Sequence, residues 1–187
     1  KIKACPLAEI TESAWDKIIG NNYRTHYITS EGKKASLARQ CVSPLYFKMF
    51  GIDLKEGTLP DNNEKRCYAM NHAAMKALQL TSLEGANVIE ENRFRRNKNV
   101  AFHPISAIVE DHYSGHLSMG ATPIIYEIEE FHGESTYIAY QEDKLPELLD
   151  YLKGVMQEFY GTDTVEYTLL EDQVKAIYKE DRKVATI

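Results

Sequence analysis

The sequence predicts an α+β fold, and three observations carry that expectation. Two β-branched, tyrosine-bearing runs, Pro123–Ile128 and Ser135–Tyr140, have the composition of strands. Directly after them Leu145, Leu148, Leu149, Leu152, Val155, Met156 and Phe159 recur every three or four residues, the spacing of one helix face. Near the start, Tyr23, Thr25, Tyr27 and Thr29 alternate along one face before a turn at Ser30-Glu31-Gly32-Lys33 and a second run, Ala35–Val42, which is a hairpin pattern.

The remaining elements follow in order. Pro6 ends any helix before it, and Ala8–Ile19 mixes β-branched and polar residues ahead of Gly20-Asn21-Asn22, so a strand is expected. Ser43-Pro44 marks a helix start, because Ser caps and Pro suits the first helical position. Leu45, Tyr46, Met49 and Phe50 then keep helical spacing as far as Gly51. Leu54–Gly57 is expected as a turn and Leu59–Lys65 as a polar loop. Arg66–Met70 is a short strand feeding Asn71, which caps a helix over His72–Leu80 with the small-residue face Ala73, Ala74, Ala77 and Leu78. Gly85–Glu90 and Ala101–Glu110 form a strand pair around a basic tip, Arg93–Lys98, with Asp111–Gly120 an irregular link. The amphipathic helix is marked at its start by Asp143 and Pro146 and at its end by Gly161. Thr164–Leu170 is a strand by propensity and alternation, and Gln173–Ile187 a final helix. The last 65 or so residues would then form a βαβ-type unit.

Composition narrows the function classes. The 187 residues are 43% hydrophobic, enough for a real core, and carry a formal charge of -6. The Arg93–Lys98 cluster interrupts an otherwise acidic chain, so nucleic acid is not an expected partner and a solvated hairpin tip is the expected role. No apolar run approaches the roughly 18 residues that cross a bilayer. The chain begins at Lys1, and its last helix stops without Gly, Asn or Pro, so it is expected to be part of a longer protein. Cys5, Cys41 and Cys67 show no CxxC spacing; they are expected as small apolar residues, and a Cys5–Cys41 disulfide stays open.

Candidate chemistry is sparse. His112 and His116, with Glu110 and Asp111 beside them, are the one pair at metal-ligand spacing, which allows a soluble metal-dependent hydrolase. Ser114-Gly115 between them works against the helix that would align both imidazoles, so no metal site is assigned. GxSxG, GxxxxGK[ST] and GxGxxG are all missing from the sequence, which removes the usual motifs for acyl, phosphoryl and dinucleotide chemistry. Glu129-Glu130 and Glu142-Asp143 fall at strand ends and helix starts, where acidic side chains are satisfied by solvent or the helix dipole. Tyr126, Tyr137 and Tyr140, if on adjacent strands, would line a ligand cleft; core packing is the more ordinary role. No catalytic residue and no cofactor is expected.

Three blocks resemble the extracytoplasmic region of MacB-like and FtsX-like ABC transporter permeases. Val42–Gly57 (VSPLYFKMFGIDLKEG) is similar to the family's D/SPxYFxxFGIxLxxGR segment. Tyr68–Leu80 with Leu83–Val88 resembles the next block, keeping Asn71 but placing His72 and Gln79 where the family has an acidic residue and Gly. Ile105–Leu117 resembles the block ending Asp-Phe-His, with Asp111 in place and His112 displaced by one.

The resemblance implies a porter-like βαβ subdomain (1–30 plus 121–187) with an inserted, smaller, strand-rich Sabre-like subdomain (31–120). It also implies a non-enzymatic domain on the periplasmic side of a bacterial inner membrane, anchored between transmembrane helices and relaying ATP-driven motion through a stem helix near Val174–Ile187. Implied partners are a cytoplasmic ABC ATPase, a periplasmic adaptor or lipoprotein, and a second copy or pseudo-copy; export, lipoprotein handling and mechanotransmission are the implied roles. A ligand-sensing domain on the tyrosine-bearing sheet is a further alternative.

Overall fold

In the computed structural model, residues 2, 5–14, 18–19, 23–59, 67–113, 120–128 and 135–184 are described. Contacts divide the chain into two compact units, Lys1–Glu12 with Thr136–Ile187, and Ser13–Ser135. These limits, 12/13 and 135/136, fall outside the 30/31 and 120/121 boundaries implied by the resemblance. The reason is hydrogen bonding: β2 (Arg24–Thr29) and β8 (Ile124–Ile128) both pair with β3 (Lys34–Val42), so all three share one sheet.

The larger unit is built on that sheet, in the order β4-β7-β5-β8-β3-β2-β6, with β4 at Leu54–Gly57, β5 at Cys67–Asn71, β6 at Asn87–Glu90 and β7 at His103–Val109. The expected hairpin is present, Tyr27 facing Ala35 and Thr25 facing Leu37 across the β2–β3 pair. β6 pairs on both sides, antiparallel to β2 and to β7. Six strands therefore close into a ring, β7-β5-β8-β3-β2-β6, and β4 lies outside it along β7. Closure leaves no free edge among those six, removing a template for strand addition.

Alternation along each strand assigns the faces. Tyr27, Leu37, Tyr68, Met70, Val88, Ile105, Ile108 and Ile125 turn inward and form one buried cluster. Helix α2 (His72–Ala77) follows β5 and closes that end of the ring, with Ala74 and Leu78 fully buried in the same cluster. The outer face of β3 and β8 is covered in turn. Tyr46 and Phe47 of α1 (Leu45–Met49) are buried, with their rings 6.3 and 5.1 Å from that of Tyr126. Strand β8 is thus buried on both sides, which accounts for five consecutive buried residues.

Several local expectations hold. Ser43 Oγ accepts the Leu45 N–H at 3.3 Å at the start of α1. Asn71 caps α2, its side-chain oxygen accepting the Ala74 N–H at 3.0 Å. Past α2, Gln79 takes φ 55°, a left-handed position where the resembling family places Gly, and there Gly is free of the cost a side chain brings.

Other expectations are corrected. Leu54–Gly57 is not a turn but strand β4, because it runs antiparallel to β7 with Leu54 opposite Val109. The basic tip between β6 and β7 is not a plain hairpin turn: Glu91–Arg96 form helix α3, with no buried residue. Expected loop residues Leu59–Lys65 lie largely outside the described residues.

The first three-block match has a steric reason in Gly57. Its φ is +81°, and a Cβ there would stand 2.2 Å from the Ser106 carbonyl oxygen and 3.1 Å from Ala107 Cα. Backbone cannot step aside as a flexible side chain can. Gly57→Ala is expected to cost about 2 kcal/mol or more, read as a lowered urea midpoint; an unchanged midpoint would contradict this account of the position.

The smaller unit pairs β1 (Ala8–Ala14) with β9 (Ser135–Tyr140) and carries α4 (Leu145–Tyr160) and α5 (Leu170–Val184). Leu148 and Leu152 of α4 are buried with Cys5, and Ile138, Tyr140 and Val165 pack on them. The amphipathic helix thus forms where its spacing places it, and Gly161 ends it with φ 69°. Thr164–Leu170 is not a strand: residues 162–169 carry no regular structure and α5 begins at Leu170. Alternation alone does not make a strand without a neighbour to bond, so the expected terminal βαβ unit is replaced by a helix, an irregular link and a helix. Residues 185–187 of the expected last helix lie outside the described residues.

Candidate functional site

The ring has two ends, and their chemistry differs. Strand β6 runs antiparallel to β7, which is parallel to β5, so α2 after β5 and α3 after β6 stand at opposite ends. At the α2 end Ala74 and Leu78 close the ring with apolar side chains. At the α3 end a carboxylate sits inside the ring: Glu127, 3% exposed, on β8.

Strand register puts its partners there. Cys41 of β3 and Tyr68 of β5 are both paired with Glu127 across β8. The Tyr68 hydroxyl donates to Glu127 Oε1 at 2.6 Å and the Cys41 thiol to Oε2 at 3.4 Å. Two guanidinium groups approach more loosely, Arg39 Nη1 at 3.8 Å from Oε2 and Arg93 Nη2 at 3.9 Å from Oε1. A second carboxylate, Glu90 of β6, accepts from Thr25 Oγ1 at 3.1 Å and pairs with Arg93 Nε at 3.3 Å.

Tyr27 completes the cluster. It is fully buried and its hydroxyl has no hydrogen-bond partner. Burial pushes its ionisation far above the ordinary value, helped by the negative charge of Glu127, so it stays a neutral donor. Burial works against the Arg39 charge, but the neighbouring Cys41 and Glu127 outweigh it and raise the guanidinium above its usual range. Chemically, the cluster can hold and orient polar or charged groups by paired ionic contacts.

The residues singled out in the sequence are placed differently. His112 turns to Tyr126, Nδ1 3.0 Å from the hydroxyl, and Asp111 Oδ1 accepts the Ala73 N–H at 2.9 Å at the start of α2. Asp111 is therefore occupied as a backbone acceptor, and His116 lies outside the described residues. Among the described residues no group of three or more His, Cys, Asp or Glu side chains could hold a metal ion. The three tyrosines do not stand on adjacent strands. Tyr126 is fully buried on β8, while Tyr137 and Tyr140 belong to β9 in the other sheet. Glu142 and Asp143 sit in a 3-10 turn before α4; Glu129 and Glu130 lie outside the described residues. All three cysteines are free thiols.

Burial lowers the ionisation of His112, with the Asp111 charge opposing. The folded state then binds the proton less well than the unfolded chain, so stability is expected to fall as pH drops below about 6.5. Between about pH 7 and about pH 5, His112→Asn is expected to remove part of the fall in urea midpoint seen in the unsubstituted protein; equal falls would contradict this.

Glu127, Glu90 and Arg39 were missed in the sequence. A signal was present: a carboxylate inside the apolar run Ile124-Ile125-Tyr126-Glu127-Ile128, which a strand buried on both sides tolerates only with partners.

At the level of sequence no protein-family model and no curated protein matches the chain. Solved structures do. The periplasmic region of MacB from Actinobacillus actinomycetemcomitans superposes with a TM-score of 0.62 at 13% identity, covering 100% of this chain and 80% of that one. The chain has the fold of a MacB-like periplasmic domain. The extracellular domain of the noncanonic ABC-type transporter YknZ from Gram-positive bacteria gives 0.62 at 11% identity, over 86% of this chain and 81% of that one. A domain of a protein assigned as a permease, from Porphyromonas gingivalis, gives 0.61 at 14%, over 83% and 72%.

On the MacB-like fold the three sequence blocks become structural anchors. The first ends at Gly57, pressed against Ser106 and Ala107 of β7. The second centres on Asn71, and the third supplies Asp111, both of which hold backbone N–H groups of α2. Asn71 and Asp111 thus seat α2, which packs against β3, β5 and β8.

Proposed function

We propose that the chain is the extracytoplasmic domain of an ABC transporter permease subunit, on the periplasmic side of a bacterial inner membrane, and that it acts as a coupling module without catalysis of its own. The observation supporting this is the likeness of fold to three transporter or permease domains over 83 to 100% of the chain. Among the described residues no helix is long and apolar enough to cross a membrane, so the membrane anchors would lie in flanking sequence.

On this reading the smaller unit is the porter-like part and the larger, ring-forming unit the inserted strand-rich part, the reverse of the sizes that the resemblance implies. Helix α5 is the stem. It is amphipathic, with Val174 exposed on its apolar side, and would pass ATP-driven motion from the membrane to a substrate or partner. The partners are a cytoplasmic ABC ATPase, an adaptor or lipoprotein, and a second copy or pseudo-copy of the domain.

The full-length gene product is expected to carry apolar stretches of about 20 residues on both sides of the domain and to copurify from detergent with an ABC ATPase. A gene product with neither property would sink the reading.

A further inference from the structure

The carboxylates of Glu90 and Glu127 are fixed without help from α3. Thr25 holds the first and Tyr68 and Cys41 the second, and their side chains are only 13% and 4% exposed. Between them enters one solvent-facing cation, Arg93, 40% exposed, its Nε 3.3 Å from Glu90 and its Nη2 3.9 Å from Glu127. The acidic site is thus built into the ring, whereas its occupant rides on a six-residue helix that buries nothing. A ring contact, Phe94 to Phe102 at 5.7 Å, and a surface pair, Lys34 to Glu91 at 2.6 Å, add to its attachment. Exposed pairs of that kind are worth little.

A second observation points to a ligand. The Tyr27 hydroxyl, fully buried and unpartnered, belongs to the same cluster, since Tyr27 stands opposite Glu90 across the β2–β6 pair and its ring lies 6.4 Å from that of Tyr68. If Arg93 withdraws, a positive charge is removed from beside both carboxylates, which favours a replacement cation there. The two carboxylates stand on different strands, and a planar, multidentate group bridges them better than a point charge.

We propose that the α3 end of the ring is a guanidinium-recognition site, held in this state by the chain's own Arg93, and that it accepts in its place an arginine side chain presented by a partner protein. This holds whether or not the domain belongs to a transporter. The test is chemical rescue of Arg93→Ala, followed by thermal unfolding. Ethylguanidinium chloride at about 10 mM, roughly tenfold above a Kd near 1 mM, is expected to raise the Tm of the variant by about 4 °C. Ethylammonium chloride is expected to leave it unmoved, and Arg93→Ala combined with Glu127→Gln is expected to lose the response. The blocked tripeptide Gly-Arg-Gly should act as ethylguanidinium does. Equal shifts with both salts, or none, would overturn the site, and a response to ethylguanidinium without one to the tripeptide would overturn the partner assignment. Should Arg93→Ala fail to fold, Arg93→Gln carries the same test.

Discussion

Asn71→Ala is expected to destabilise the larger unit by about 3–7 kcal/mol, a large part of the stability of an ordinary domain. The side chain is fully buried and makes three hydrogen bonds that tie three elements together. Its oxygen accepts the Ala74 N–H at the start of α2 and the Ile124 N–H at the start of β8, both at 3.0 Å. Its amide donates to the Thr122 carbonyl at 2.8 Å. Loss of the cap costs about 1 kcal/mol; withdrawing a partner from each of the other two buried groups costs about 1–3 kcal/mol apiece. Asn71→Asp separates these contributions, because it keeps the two acceptor bonds but sets an acceptor against the Thr122 carbonyl. Its urea midpoint is expected to lie between those of Asn71→Ala and the unsubstituted protein. A midpoint shift for Asn71→Ala no larger than that of an exposed substitution would contradict this assignment.

Glu127→Ala has a comparable expected effect for a different reason. Removing one member of a buried charged cluster costs about 3–5 kcal/mol, because the groups left behind stay desolvated. Here they are the Tyr68 hydroxyl, the Cys41 thiol and the Arg39 guanidinium, whose Nε already lacks a hydrogen-bond partner. Glu127→Gln retains an acceptor for Tyr68 and should cost less. Urea midpoints of the two variants check the ordering; Glu127→Ala equal to or more stable than the unsubstituted protein would show that the cluster is not held by its carboxylate.

Elements bounded by local chemistry were legible in the sequence. Tyr23–Val42 signals its own hairpin, Asn71 its cap, and Leu145–Phe159 a helix ended by Gly161, because each depends on neighbours within a few residues. What was not legible depends on distant pairing. Leu54–Gly57 resembles a turn until β7 runs beside it, and Thr164–Leu170 has strand composition but no strand to bond. Pro123–Ile128 and Ser135–Tyr140 look like neighbours, yet hydrogen-bond in different sheets. Ring closure through β6 cannot be deduced from alternation, since register between remote strands leaves no local mark.

The candidate site follows the same rule. Arg93 was visible as part of a basic tip, but its role depends on the register that brings Glu90 and Glu127 to one end of a ring. His112 and His116 carried the spacing signal instead, and His112 is engaged with Tyr126. Spacing of ligand-type residues along a chain is informative mainly on a regular element, and Asp111–Gly120 is expected to be irregular.

The measurement that bears most directly on the central claim is accessibility of the domain from outside the cytoplasmic membrane. Tyr160, 74% exposed at the end of α4, offers a surface position for a single reporter, and Cys5 and Cys41 are buried. In spheroplasts expressing the full-length protein, Tyr160→Cys is expected to react with a membrane-impermeant maleimide before lysis, well above the background from Cys67. Labelling that emerges only after lysis would place the domain in the cytoplasm and contradict the account.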